Sequence, residues 1–194
     1  AVPGDNITYS YTITSNSNGF DEYDLSAVVT PGDGISSPVP TASFERDGEA
    51  ITSVYLGATG ASRVSQIGAY VVVVPDDSGS DAGAVNGIDD NDTIVINGEE
   101  YEVSQVSYDA VIKPGHHKTI SLKAPLVSDV QVGDLVAERQ SFNMTISGAS
   151  LADTEAEGTV GVVVTATSAF DSAFFASDES VTSVFTPIPS SLET

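Results

Sequence analysis

Apolar and polar residues alternate with a period of two through most of this chain, and no stretch carries the 3.6-residue periodicity of an amphipathic helix. Successive side chains on a strand point to opposite faces, so the pattern restricts the chain to an all-β fold. Ile7, Tyr9, Tyr11 and Ile13 alternate with Thr8, Ser10, Thr12 and Thr14, as a half-buried strand requires. A turn over 16–21 leads to a second strand over 23–30, then to a loop over 31–40 rich in Pro, Gly and Ser. Short strands are expected over 42–44 and 51–56, around the Asp47-Gly48 turn. The apolar run from Tyr70 to Val74, stopped by Pro75, predicts a strand buried on both faces. Asn97-Gly98, between Thr93–Ile96 and Glu99–Val103, predicts a hairpin, because a type I′ turn needs positive φ at both central residues. Further strands are expected over 106–112 and 119–126 around Pro114-Gly115, over 141–147 with Phe142, Met144 and Ile146 on one face, over 159–167, and over 181–185.

Short strands with frequent turns predict a sandwich or barrel. The expected architecture is an Ig-like or jelly-roll-type β-sandwich built from residues 1–48 and 137–194. Residues 49–136 form an inserted β-subdomain carrying an Asp-rich loop over 76–92.

Charge narrows the function. The chain holds 28 Asp and Glu against 6 Lys and Arg, for a net charge of -22. A surface this negative repels phosphate backbones and anionic lipid, which argues against nucleic-acid and membrane-surface roles. No apolar run approaches the roughly 18 residues of a membrane helix, so no direct membrane insertion is expected. The absence of Cys excludes disulfides, thiol catalysis and Cys-ligated metal sites. No nucleophile elbow, P-loop or dinucleotide fingerprint is present, and no catalytic residue is assigned. The chain begins at Ala1 without a basic and apolar leader, which fits a removed signal peptide or a lost initiator Met.

Four groups of residues carry possible chemistry. Asp76, Asp77, Asp81, Asp89, Asp90 and Asp92 offer the hard oxygen ligands that Ca²⁺ takes, although the EF-hand register fails at Gly83. The alternative is a solvated acidic loop. Lys113, Lys118 and Lys123 are the only lysines and bracket His116 and His117, so this hairpin is the one basic patch. It is a candidate contact to an acidic neighbouring subunit. Val181, Val184, Phe185 and Ile188 form a candidate donor strand, with Ile7, Tyr9, Tyr11 and Ile13 as the competing one. Asn6, Asn91 and Asn143 fit the N-glycosylation acceptor pattern, a weak signal in so Ser- and Thr-rich a chain.

Residues 3–25, with Pro3-Gly4-Asp5, the Thr/Tyr strand, Asn18-Gly19 and Tyr23-Asp24-Leu25, resemble the opening of Ig-like repeat domains of prokaryotic cell-surface proteins. Residues 91–138 are similar to a recurrent surface-protein pattern, with Ile94-Val95-Ile96-Asn97-Gly98, Ala124-Pro125-Leu126 and Gly133-Asp134-Leu135-Val136. The resemblance implies an extracellular structural or adhesive module. A single such opening suggests non-covalent repetition, as in subunits of secreted fibres that exchange a strand between neighbours. The expected function is therefore a non-enzymatic subunit of an extracellular, pilus-like filament or cell-surface assembly, its partners being copies of itself. A coat or decoration protein of an acidic, salt-adapted virus is the alternative. A calcium-dependent adhesion or carbohydrate-binding module is the third reading.

Overall fold

Among the described residues strands account for all the regular structure, and β1, β10 and β12 follow the period-two pattern closely. The computed structural model describes residues 3–36, 39–75, 85–108, 117–151 and 157–185. In chain order the strands are β1 (Ile7–Thr14), β2 (Asp21–Pro31), β3 (Thr41–Arg46), β4 (Glu49–Ile51), β5 (Ser53–Leu56), β6 (Ala58–Gly60), β7 (Val71–Pro75), β8 (Thr93–Ile96), β9 (Glu99–Tyr108), β10 (His117–Leu122), β11 (Leu135–Ser147), β12 (Glu157–Ser168) and β13 (Phe175–Phe185). The fold is an all-β sandwich of antiparallel strands. The chain divides into two compact units. Unit 1 comprises Ala1–Tyr11, Asp24–Ser53 and Ser141–Thr194, and unit 2 comprises Thr12–Tyr23 and Val54–Gln140.

In unit 1, the C-terminal part of β11 pairs with β3, Met144 opposite Phe44, and β3 pairs with β4 around the Asp47-Gly48 turn. Asp47 and Gly48 have φ of 54° and 85°, so the turn takes its two positive-φ residues from an Asp and a Gly. β1 lies on the other side of β11, where Ser10 Oγ donates to Asn143 Oδ1 at 2.7 Å. The second layer is β13, β12 and β2. Between the layers Ile7, Tyr11, Phe142, Met144, Ile146, Val160, Val162 and Val184 are buried. The Tyr11 and Phe142 rings stack at 5.8 Å, and Phe44 meets Phe142 edge-on at 5.9 Å.

In unit 2, β7, β10, β9 and β8 form a consecutive antiparallel array, and the first residues of β11 pair with β8 and β6. The Asn97-Gly98 hairpin is present, with φ of 53° and 85° and Ile96 opposite Glu99. Its tip is tied down: Asn97 Nδ2 donates to Asp134 Oδ2 at 2.9 Å, and the Gln131 amide donates to the same oxygen at 2.8 Å. The Gln131 amide first, and the Asn97 amide second, hold the Asp134 carboxyl below its ordinary value.

A carboxyl lowered on folding stabilises the native state above its unfolded value, near 3.9, and that contribution is lost as pH falls through the lowered folded value. Urea midpoints measured across this acid range should therefore fall less steeply for Asp134→Asn than for the wild type.

Two expectations are corrected. The valine run in β7 is not buried on both faces: Val72 and Val74 face the core, while Val71 is 37% exposed. β7 is the end strand of its array, which is also where Pro75 costs no ladder hydrogen bond. Lys118 does not stand on the surface but is fully buried. It lies opposite Val74 and shares its face with Ile120 and Leu122, and its side chain is engaged in a polar contact there.

Candidate functional site

The two candidate donor strands meet on one flank of unit 1. β1 ends the layer built on β11, and β13 ends the layer built on β12 and β2. Alternation turns Tyr9 and Tyr11 inward, where their hydroxyls reach across to β13. Tyr9 bonds Thr182, and Tyr11 Oη lies 3.1 Å from Ser180 Oγ. Each strand is paired within its own chain: β1 with β11, and β13 with β12 over an unbroken register from Glu157–Phe185 to Thr167–Phe175.

The apolar residues of β13 fall on both faces. Val184 is buried, while Val181 is 64% and Phe185 52% exposed. Phe175, at the other end of the strand, is 65% exposed. Among the described residues, neither β1 nor β13 has a second strand neighbour. Next to Val181 its β12 partner Gly161 leaves a hollow of about 260 Å³, bordered by Thr30, Thr159 and Val163.

The other candidate groups belong to unit 2 or to single positions. Asp76, Asp77, Asp81, Lys113, His116 and Ile188 lie outside the described residues. Asp90 Oδ1 accepts the Val106 amide at 2.7 Å, and Asp92 Oδ2 accepts the Asp89 amide at 2.6 Å, so both carboxylates brace the backbone. Among the described residues no group of three His, Cys, Asp or Glu side chains is placed to hold a metal ion.

Of the basic hairpin, His117 Nδ1 lies 3.1 Å from Ser62 Oγ, and Lys123 pairs with Glu102 and donates to Asn91 Oδ1 at 3.2 Å. An exposed pair of that kind stabilises little, typically under about 1 kcal/mol. Asn6 and Asn91 are exposed; Asn143 is half-buried and holds the Ser10 hydroxyl.

The N-terminal half of β13 escaped the sequence reading. Phe175 to Ser180 shows no alternation of apolar and polar residues, and only its long pairing with β12 makes it a strand. The two adjacent phenylalanines, Phe174 and Phe175, were the one available signal, and both are exposed.

No family model and no curated protein matches the chain. The chain is similar to a solved structure described as AvmM, which catalyses macrocyclization in alchivemycin A biosynthesis. The identity is 10% and the TM-score 0.25, over 99% of this chain and 86% of that one. A likeness at that level carries no argument about function.

Proposed function

We propose that this chain is a non-enzymatic structural subunit of an extracellular filament or cell-surface assembly, and that its copies join by sharing a strand. One observation carries the reading: β1 and β13, the two strands nearest the described ends of the chain, both end their layers on the same flank of unit 1. An edge strand offers a row of main-chain donors and acceptors to a second chain. Removing either strand from its own subunit would open a groove lined by apolar residues, which a neighbour's strand fills. Charge supports the same flank, since β1 carries no charged residue and β13 carries only Asp178 and Glu179.

Two truncations test the reading, one lacking residues 1–14 and one lacking residues 178–194. One of them should stop assembly, and the synthetic peptide of the missing strand should restore folding of the truncated chain. If both truncated chains still assemble, strand sharing is wrong.

A further inference from the structure

We infer that the edge of β13 left without a strand neighbour among the described residues is a docking surface for β13 of a second copy, the two strands pairing antiparallel about a two-fold axis at Ser180. The contact goes beyond strand sharing, because it leaves both sandwiches intact and joins them edge to edge.

The phase of the ladder shows which groups are offered. The Ser168 amide donates to the Phe174 carbonyl at 3.0 Å, so that pair is a hydrogen-bonded one. In an antiparallel ladder such pairs alternate. Ala176, Asp178, Ser180, Thr182 and Val184 therefore turn their main-chain groups toward β12. Phe175, Ser177, Glu179, Val181, Ser183 and Phe185 turn theirs to the open edge. The outward set is symmetric about Ser180, the middle of the 11-residue strand.

A two-fold axis there sets Phe175 opposite Phe185, Ser177 opposite Ser183 and Glu179 opposite Val181 of the second copy. Every outward amide then has a carbonyl partner, and the exposed aromatic at each end meets another aromatic, a favourable cross-strand pair. Charge selects the same register. Asp178 falls opposite Thr182 and Glu179 opposite Val181, whereas sliding the axis to residue 179 would set the two Glu179 carboxylates against each other.

The edge also lacks the features that keep edge strands apart. β13 has no Lys, no Pro and no break in register. The neighbouring edge strand β1 is uncharged, on a molecule of net charge -22. Pairing exchanges a local bond at Glu179: Asp178 Oδ1 holds its outward amide at 3.0 Å, and a carbonyl of the second copy replaces it.

The chain has no Cys, so a single Ser180→Cys change reports the axis directly. Residues facing each other in a non-hydrogen-bonded antiparallel pair are close enough for a disulfide. Under mild oxidation in about 1 M salt, where the Debye length is about 3 Å, Ser180→Cys should form a covalent dimer and Ser177→Cys should not.

Sedimentation provides the second arm. Val181→Glu places like charges opposite Glu179 of the second copy and should weaken the dimer about tenfold. Val181→Lys places an ammonium there and should not weaken it. Val181 is 64% exposed, and unchanged melting of both variants confirms that the subunit is intact.

If Ser180→Cys forms no covalent dimer, or Val181→Lys weakens the dimer as much as Val181→Glu, the pairing is overturned. Filaments whose Ser180→Cys subunits do not cross-link overturn this contact and leave strand sharing standing. Cross-linked dimers that grow no longer keep the contact and sink the filament reading.

Discussion

Gly57→Ala should lower the stability of unit 2 by about 3 kcal/mol, at the upper end of what overpacking costs. A methyl at Gly57 would sit 2.4 Å from the Asn86 carbonyl oxygen and 2.7 Å from the Ile88 nitrogen, both backbone atoms. That backbone has little room to retreat. Val85 and Ile88 bond each other in both directions across Asn86-Gly87, whose φ values are 48° and 89°. The turn also lies close to the Phe20 ring at Gly87, and that ring stacks on Tyr55 at 5.7 Å. Gly57 cannot move the other way either. Its amide donates to Glu138 Oε2 at 2.7 Å, and its carbonyl accepts the Glu138 amide at 2.8 Å. Gly19→Ala is the control, because nothing lies within 4 Å of the position its methyl would take, and it should be close to neutral. Urea unfolding of the two variants measures the difference.

Lys118→Ala should cost about 2–5 kcal/mol, the range for truncating a large buried side chain to alanine. Lys118 is fully buried on the core face of β10, among Ile120, Leu122, Val72 and Val74, and its side chain has a polar partner. Alanine leaves that partner without its ammonium and opens a hole where the four-carbon stem packed. Lys118→Met separates the two losses. It refills most of the volume but supplies no donor, so it should recover the packing part only and remain destabilised. A Met variant as stable as the wild type would show that the polar contact contributes nothing. Denaturant midpoints at fixed pH give both values.

The legible parts of the fold are those where a local rule and the tertiary environment agree. Ile7 to Ile13 alternates because one face of β1 is buried, and Asn97-Gly98 marks its turn because few other residues tolerate two positive φ values in succession. Failures came where composition stood in for phase. The valines of β7 suggested burial on both faces, yet they reflect strand preference at the end of an array, with alternate side chains in water. Charge alone groups Lys118 with the other lysines of the basic hairpin. Its spacing from Ile120 and Leu122 already placed it on the inward face, and that phase was the better guide.

The flank on which β1 and β13 end was not legible. Its existence depends on which strands lie between, and pairings such as β1 with β11 and β12 with β2 join segments far apart in sequence. Each strand could be proposed as a donor separately, but their common flank required the topology.

Imaging the purified protein by electron microscopy across a salt series tests strand-shared assembly most directly. Subunits of net charge -22 repel one another, so association rests on strand pairing and apolar burial and improves as salt screens the charge. Regular filaments or sheets should appear at about 1 M salt, where the Debye length is about 3 Å, and should thin out as it grows to about 10 Å at 0.1 M. Single particles of monomer size at every salt concentration would contradict the account.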